Sequence, residues 1–167
     1  MSIHDAALSQ SRLREVLSYE PETGHFRWRV KLSSKSKIGS LAGCVNDDGY
    51  VLIRIDGLRH RAHRLAFLYM TGVWPRETVD HINRETSDNR WQNLRAATRS
   101  ENLWNARAHR DNRTGLKGVS FHRGRWVAQI AKNGTHKWLG TFDNAISAHR
   151  AYAAAATAMH GAFARPQ

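Results

Sequence analysis

Leu13, Val16 and Leu17 fall on one face when residues 9–18 are wound as a helix, so a short amphipathic helix is expected there. Glu20-Pro21-Glu22-Thr23-Gly24 reads as a turn. HFRWRV (25–30) alternates as a strand does, and the polar, basic stretch 31–40 reads as a loop. Residues 41–45 and 50–55 read as paired strands, and Asp56-Gly57 is a tight-turn signal leading into LRHRAH. Leu65, Leu68 and Tyr69 recur at helical spacing in 63–72, with Gly72 and Pro75 as stop signals. VDHI (79–82) reads as a short strand, followed by a polar loop and Asn93-Leu94-Arg95. Thr98-Arg99-Ser100-Glu101 has the capping-box pattern, which predicts a helix from about 99 to 108.

The pattern changes after the polar stretch 109–115. KGVSF, RWVAQIA and HKWLGTF read as three strands joined at Arg123-Gly124 and Asn133-Gly134. Asp143 or Asn144 then caps an alanine-rich helix that runs to about His160 and ends at Gly161. Trp126, Ala128 and Ile130 alternate onto the face that a small-residue helix can approach. Arg125, Val127, Gln129 and Ala131 take the other face.

Charge narrows the function classes. The 167 residues carry 26 Lys+Arg against 14 Asp+Glu, a net +12, which points to a polyanion partner. The excess is uneven: 10 basic and only 2 acidic residues fall in 106–167. No apolar run is long enough to span a bilayer, so no membrane partner is expected. MSIHDAALSQ lacks a basic region followed by an apolar core, so the expectation is no signal peptide and a cytoplasmic location. The single Cys44 leaves no internal disulfide and no thiolate zinc site, so no zinc is expected.

Asp80-His81 places a carboxylate and an imidazole side by side, the groups needed to bind a hard cation and take a proton from water. Strand neighbours point to opposite faces, so both serve one site only where the strand end twists or bulges. The wider segment WPRETVDHINRETSDNRWQNLRAATRSENLWN, preceded by HRLAFLY, closely resembles the His-Asn-His endonucleases of phages and mobile introns. The resemblance runs over nearly all of 12–105 and is strongest over 63–105. It implies a two-stranded hairpin followed by a helix around one divalent ion, Mg²⁺ or Mn²⁺. It also implies residue roles: Asp80 as metal-binding carboxylate, His81 as general base, Asn93 as the loop residue that holds the base, and Asn102 as second metal ligand. Arg84, Arg90 and Arg95 surround this segment as candidate phosphate clamps, and Asn105, one turn beyond Asn102, as a DNA contact. His63 is expected in packing or phosphate contact rather than in chemistry; His60 and His25 are further histidines nearby.

GLKGVSFHRGRWVAQIAKNG and HKWLGTFDNAISAHRAYAAAATAMHGAFA are similar to the plant ethylene-response-factor type of DNA-binding domain, the Apetala-two family. The likeness implies a three-stranded sheet presented to the major groove of double-stranded DNA, with Ser120, His122, Gln129, His136 and Trp138 facing it and Lys117 and Arg125 flanking. Ser120, His122, Ala131 and His136 stand where several plant arginines read guanine, so the plant target does not carry over. Trp126 is expected in the core, Trp138 in either core or DNA contact, and Tyr152 in the core or reaching a phosphate.

The fold class expected is α+β: a ββα-metal nuclease domain with N-terminal strands and helix (1–108, core 63–108), a linker (109–115), and a three-stranded antiparallel sheet packed on one helix (116–167). The expected activity is sequence-directed cleavage of DNA phosphodiester bonds, as in homing enzymes, by a monomer or weak dimer. Two other classes compete. A non-catalytic DNA-binding regulator would keep the nuclease hairpin as scaffold. An RNA-binding protein would expose aromatics for stacking, with Trp28, Trp74, Trp91 and Trp104 as candidates.

Overall fold

In the computed structural model, residues 8–34, 36–98, 100–102, 112, 114–132 and 134–164 are described. Helix α1 (Gln10–Val16) is capped by Ser9, whose hydroxyl accepts from the Arg12 N–H. It is shorter than the spacing predicts. The chain turns extended at Leu17 and forms strand β1 (Leu17–Glu20), antiparallel to β2 (His25–Trp28). Leu17 and Tyr19 alternate into the core, so period two takes over where period 3.6 was expected to continue.

Strands β3 (Cys44–Val45), β4 (Val51–Ile55) and β5 (Leu58–Arg61) form a second antiparallel sheet. The expected strand 41–45 is reduced to its last two residues, with Leu41 only bridging Arg27. Helix α2 (Ala62–Thr71) ends at Gly72, and its N–H bonds to the Leu68 carbonyl. Strands β6 (Thr78–His81) and β7 (Leu94–Ala97) make a separate two-stranded antiparallel sheet. One core gathers Leu13, Val16, Leu17, Phe26, Ile53, Ile55, Leu65 and Leu68 from α1, α2 and the sheets. Burying each such side chain contributes about 1.5–3 kcal/mol. Trp28 and Trp74 are buried and Trp91 packs on Phe67, as core aromatics do; Trp104 lies outside the described residues.

The chain divides into two units, 1–97 and 98–167. The division precedes the polar stretch 109–115. In the second unit the Thr98 N–H donates to Glu101 Oε2 and the Glu101 N–H to Thr98 Oγ1, which completes the capping box. Residues 100–102 are helical, and the expected continuation to 108 lies outside the described residues. Strands β8 (Val119–His122), β9 (Arg125–Lys132) and β10 (Thr135–Phe142) form an antiparallel sheet in the order β10-β9-β8. Asn144, rather than Asp143, caps helix α3 (Ala145–His160) by accepting from the Ser147 N–H. Ala128 and Ile130 meet Ala148, Tyr152 and Ala156, so small residues let the helix approach closely, as the alternation predicts. The chain is α+β, with short antiparallel sheets and few helices.

Candidate active site

β6 carries Asp80 and His81 into the interior: they are 4% and 5% exposed. The two side chains meet different partners. Asp80 lies opposite Arg95 in register and accepts from Arg95 Nε at 2.8 Å, with the second guanidinium nitrogen at 2.7 Å from the same Oδ2. The His81 ring lies edge-on to buried His63 at 4.9 Å and 6.1 Å from the Tyr50 ring. The Arg61 guanidinium lies over the ring of that tyrosine at 4.6 Å.

Asn89 stands 3.4 Å from His81 Nε2 through its Oδ1. An acceptor there favours the tautomer protonated at Nε2 and leaves the basic lone pair on Nδ1. Burial lowers the His81 pKa, opposed by the Asn89 contact and by Asp80 and Asp88. His63 is pushed down to about 2, chiefly by burial and then by His81 and two arginines, so it is a neutral wall to the site.

Asn93 does its work through the loop. Its Oδ1 accepts from the Asn83 N–H, and its Nδ2 donates to Asn83 Oδ1 and the Asp88 carbonyl, all at 2.8–2.9 Å. It therefore clasps the two ends of the 83–88 turn, and the amide recorded against the imidazole is that of Asn89. The β1–β2 hairpin braces this loop from behind. The Tyr19 hydroxyl donates to the Asn89 carbonyl at 2.7 Å, and the Trp91 N–H to the Pro21 carbonyl. Gly24, at φ +73°, packs so closely that a Cβ there would run into the Asn89–Arg90 backbone.

The three candidate clamps differ. Arg90 holds Asp88 through two nitrogens, at 2.8 and 2.6 Å, which pushes that carboxyl down to about 2. Arg95 holds Asp80. Arg84 donates its backbone N–H to the His81 carbonyl and sits at φ +66°. Asn102 lies at the helical start of the second unit, and its N–H bonds to the Thr98 carbonyl. Asn105 lies outside the described residues. Among the described residues no group of three or more His, Cys, Asp and Glu side chains could hold a metal ion.

Residues 60–103 match the HNH endonuclease family. The matched segment contains Asp80, His81, Asn89, Asn93 and Asn102, as well as His63. Among solved structures, one on DNA binding and cleavage by the HNH homing endonuclease I-HmuI aligns over 86% of this chain and 84% of that chain. The identity is 20% and the TM-score 0.42.

Beyond the matched segment, the second unit has a polar sheet face. The registers Ser120↔Val127, His122↔Arg125, Trp138↔Gln129 and His136↔Ala131 put those residues opposite the face that Ala128 and Ile130 turn to α3. Ser120, His122, Arg125, Gln129 and His136 are exposed, and Trp138 is 64% exposed. A register shift between Trp138 and Gly140 lets Leu139 pack inward while Trp138 stays outside. Arg125 pairs with Asp143 at 3.0 Å, and Lys117 is half-buried at the edge. Trp126 is half-buried on the core side and Tyr152 is buried there.

Sequence reasoning missed Asn89 and Tyr50. Asn89 looked like one more polar residue in a turn, and Tyr50 lies far from Asp80-His81 in sequence.

Proposed function

We propose that this chain is a DNA endonuclease of the HNH type that hydrolyses phosphodiester bonds, with His81 as general base. The observation that carries the reading is a buried imidazole held neutral within the matched segment, fixed on three sides by His63, Tyr50 and Asn89. A neutral imidazole near physiological pH can take a proton from water, worth about 10²–10⁴-fold in rate. Asn93 keeps the loop, and through it Asn89, in place. Arg84 and Asn105 are proposed toward the phosphates, while Arg90 and Arg95 are tied to Asp88 and Asp80.

The proposed cation is one Mg²⁺ or Mn²⁺, held by Asp80 with Asn102. The donors fit: a carboxylate and an amide oxygen are hard ligands that leave room for water. Arg95 meets Asp80 through Oδ2, and a carboxylate has about four acceptor sites, enough for a guanidinium and an ion together. When bound, the ion would supply charge stabilisation at the phosphate and the leaving oxygen.

The second unit (116–167 as the domain, 109–115 as linker) is proposed as an Apetala-two-like reader of double-stranded DNA. Its address residues would be Ser120, His122, Gln129, His136 and Trp138, flanked by Lys117 and Arg125. Exposed amide, imidazole and indole groups on one face of a thin basic sheet support that reading. A monomer or weak dimer of phage or mobile-element origin, acting in the cytoplasm, completes the proposal.

One observation favours a non-catalytic regulator: Asp80 already has a cationic partner in Arg95. Supercoiled plasmid and phage or host genomic DNA, incubated with and without Mg²⁺ or Mn²⁺, separate the two. The nuclease reading expects metal-dependent nicking or linearisation that Asp80→Ala and His81→Ala abolish while duplex binding persists. Metal-independent gel shifts with no cleavage of any substrate would leave the regulator.

A further inference from the structure

Among the described residues, Asp56, Arg84 and Arg123 are the non-glycines at positive φ, at +45°, +66° and +49°. Two have a local cause. Asp56 and Arg123 each open a two-residue turn completed by glycine, joining β4 to β5 and β8 to β9, where tight hairpins require left-handed backbone. Arg84 belongs to no such hairpin. It closes the turn that begins at His81, inside the loop clasped by Asn93. Glycine would take that conformation without strain. An arginine held there calls for a side-chain reason, since such strain collects at functional sites.

The side chain has no internal one. Arg84 is half-buried, and its Nε is shielded from solvent without a hydrogen-bond partner. Two carboxylates of the same strand and loop are engaged by other cations: Asp88 by Arg90 and Asp80 by Arg95. Of the three arginines around the site, two hold carboxylates, and the third, whose backbone N–H bonds to the His81 carbonyl, carries a planar, permanently charged group whose Nε has no partner. That fork matches a phosphate's oxygens.

We propose that Arg84 is the phosphate-binding arginine of the cleavage site, contacting the phosphodiester beside His81, while Arg90 and Arg95 hold the framework. The proposal rests on the nuclease reading for its consequence in rate, but not for the contact itself.

The test uses the full chain with Arg84→Gly and Arg84→Lys. Glycine suits the backbone, so Arg84→Gly keeps the wild-type melting temperature. In EDTA, binding to a random-sequence DNA duplex is followed between about 50 and 200 mM KCl; losing one phosphate contact lowers the slope of log K against log salt by about 0.9. Arg84→Lys keeps the charge and restores the slope. With Mg²⁺ and saturating protein on supercoiled plasmid, Arg84→Gly cuts about 10²-fold slower, the cost of removing one preorganised donor. A wild-type salt slope in Arg84→Gly overturns the proposal, as does an unchanged cleavage rate. If no protein cuts any DNA the nuclease reading fails, and the salt slope still decides the phosphate contact.

Discussion

Asp80, His81, Asn89 and Asn93 of the first unit are buried and bonded to named neighbours, whereas Ser120, His122, Gln129 and His136 of the second lie open on one sheet face. The two sets use similar residue types in opposite ways. Burial desolvates an imidazole, lowers its pKa and fixes its ring, which is what proton transfer requires. Exposure leaves donors and acceptors to be satisfied by a partner, which is what reading base edges requires. If the comparison is right, substitutions in the first set damage stability and chemistry, and those in the second damage binding alone.

The largest effect is expected where a buried charge loses its partner. Arg95→Met leaves the Asp80 carboxylate, 4% exposed, without its guanidinium, and breaking such a pair costs about 3–5 kcal/mol. Chemical denaturation should show this loss. Because the proposed cation would share that carboxylate, millimolar Mg²⁺ or Mn²⁺ should raise the melting temperature of Arg95→Met more than that of wild type. A variant as stable as wild type would remove the buried pair from the first unit's account.

Next come the two glycines at close approaches. Gly118, at φ +72°, faces the Tyr152 ring so tightly that a Cβ would overlap it, and Gly24 meets the Asn89–Arg90 backbone in the same way. Left-handed strain and overpacking together put Gly118→Ala and Gly24→Ala at about 3 kcal/mol each, read by urea unfolding. The two should part in function. Gly24→Ala displaces the loop that carries Asn89 and slows cleavage at a temperature where it remains folded. Gly118→Ala, under the same conditions, weakens duplex binding and leaves the chemical step. Equal loss of both activities in both variants would dissolve the contrast.

Smaller again are the open residues. Gln129→Ala and Trp138→Ala remove little buried area, so melting temperatures should hold. Affinity for the preferred duplex should fall by about 1–2 kcal/mol per residue, roughly tenfold, with the rate at saturating protein unchanged. A stability loss from Trp138→Ala would place the indole in the core after all.

How much of this was legible follows the range of the signals. Gly72 and the 125–131 alternation are local, and each gave its element or face correctly; the Thr98/Glu101 box gave the helical start at 100–102. Strand β1 was hidden because Leu17 continues the apolar face of α1, and only pairing with β2 turns it to strand geometry. Asp80 and His81 could be picked out by type and spacing. Their surroundings could not: His63 and Tyr50 come from other elements, and Arg95 reaches Asp80 through a strand register. The proposed ligand Asn102 came from the family resemblance alone, and it sits in the other unit.

The finest distinction lies in the pH response of the first unit. His81 accepts a proton only when neutral, and burial lowers its pKa from the usual 6.5, so the acid limb of the single-turnover cleavage rate should have its midpoint below pH 6.5. Asn89 acts against burial by supporting the protonated ring. Asn89→Ala should therefore move that midpoint lower still, with less than tenfold change in the plateau rate. His63 gives a second, independent limb in stability. Its pKa is about 2 when folded and about 6.5 when unfolded, so between those values the unfolded chain holds a proton that the native one does not. Native stability is complete above pH 6.5 and declines as pH falls toward 2, and His63→Phe should flatten the decline. An Asn89→Ala midpoint that rises would mean that this amide does not favour the charged ring. A His63→Phe melting profile as steep as wild type would mean that the acid sensitivity belongs to other groups.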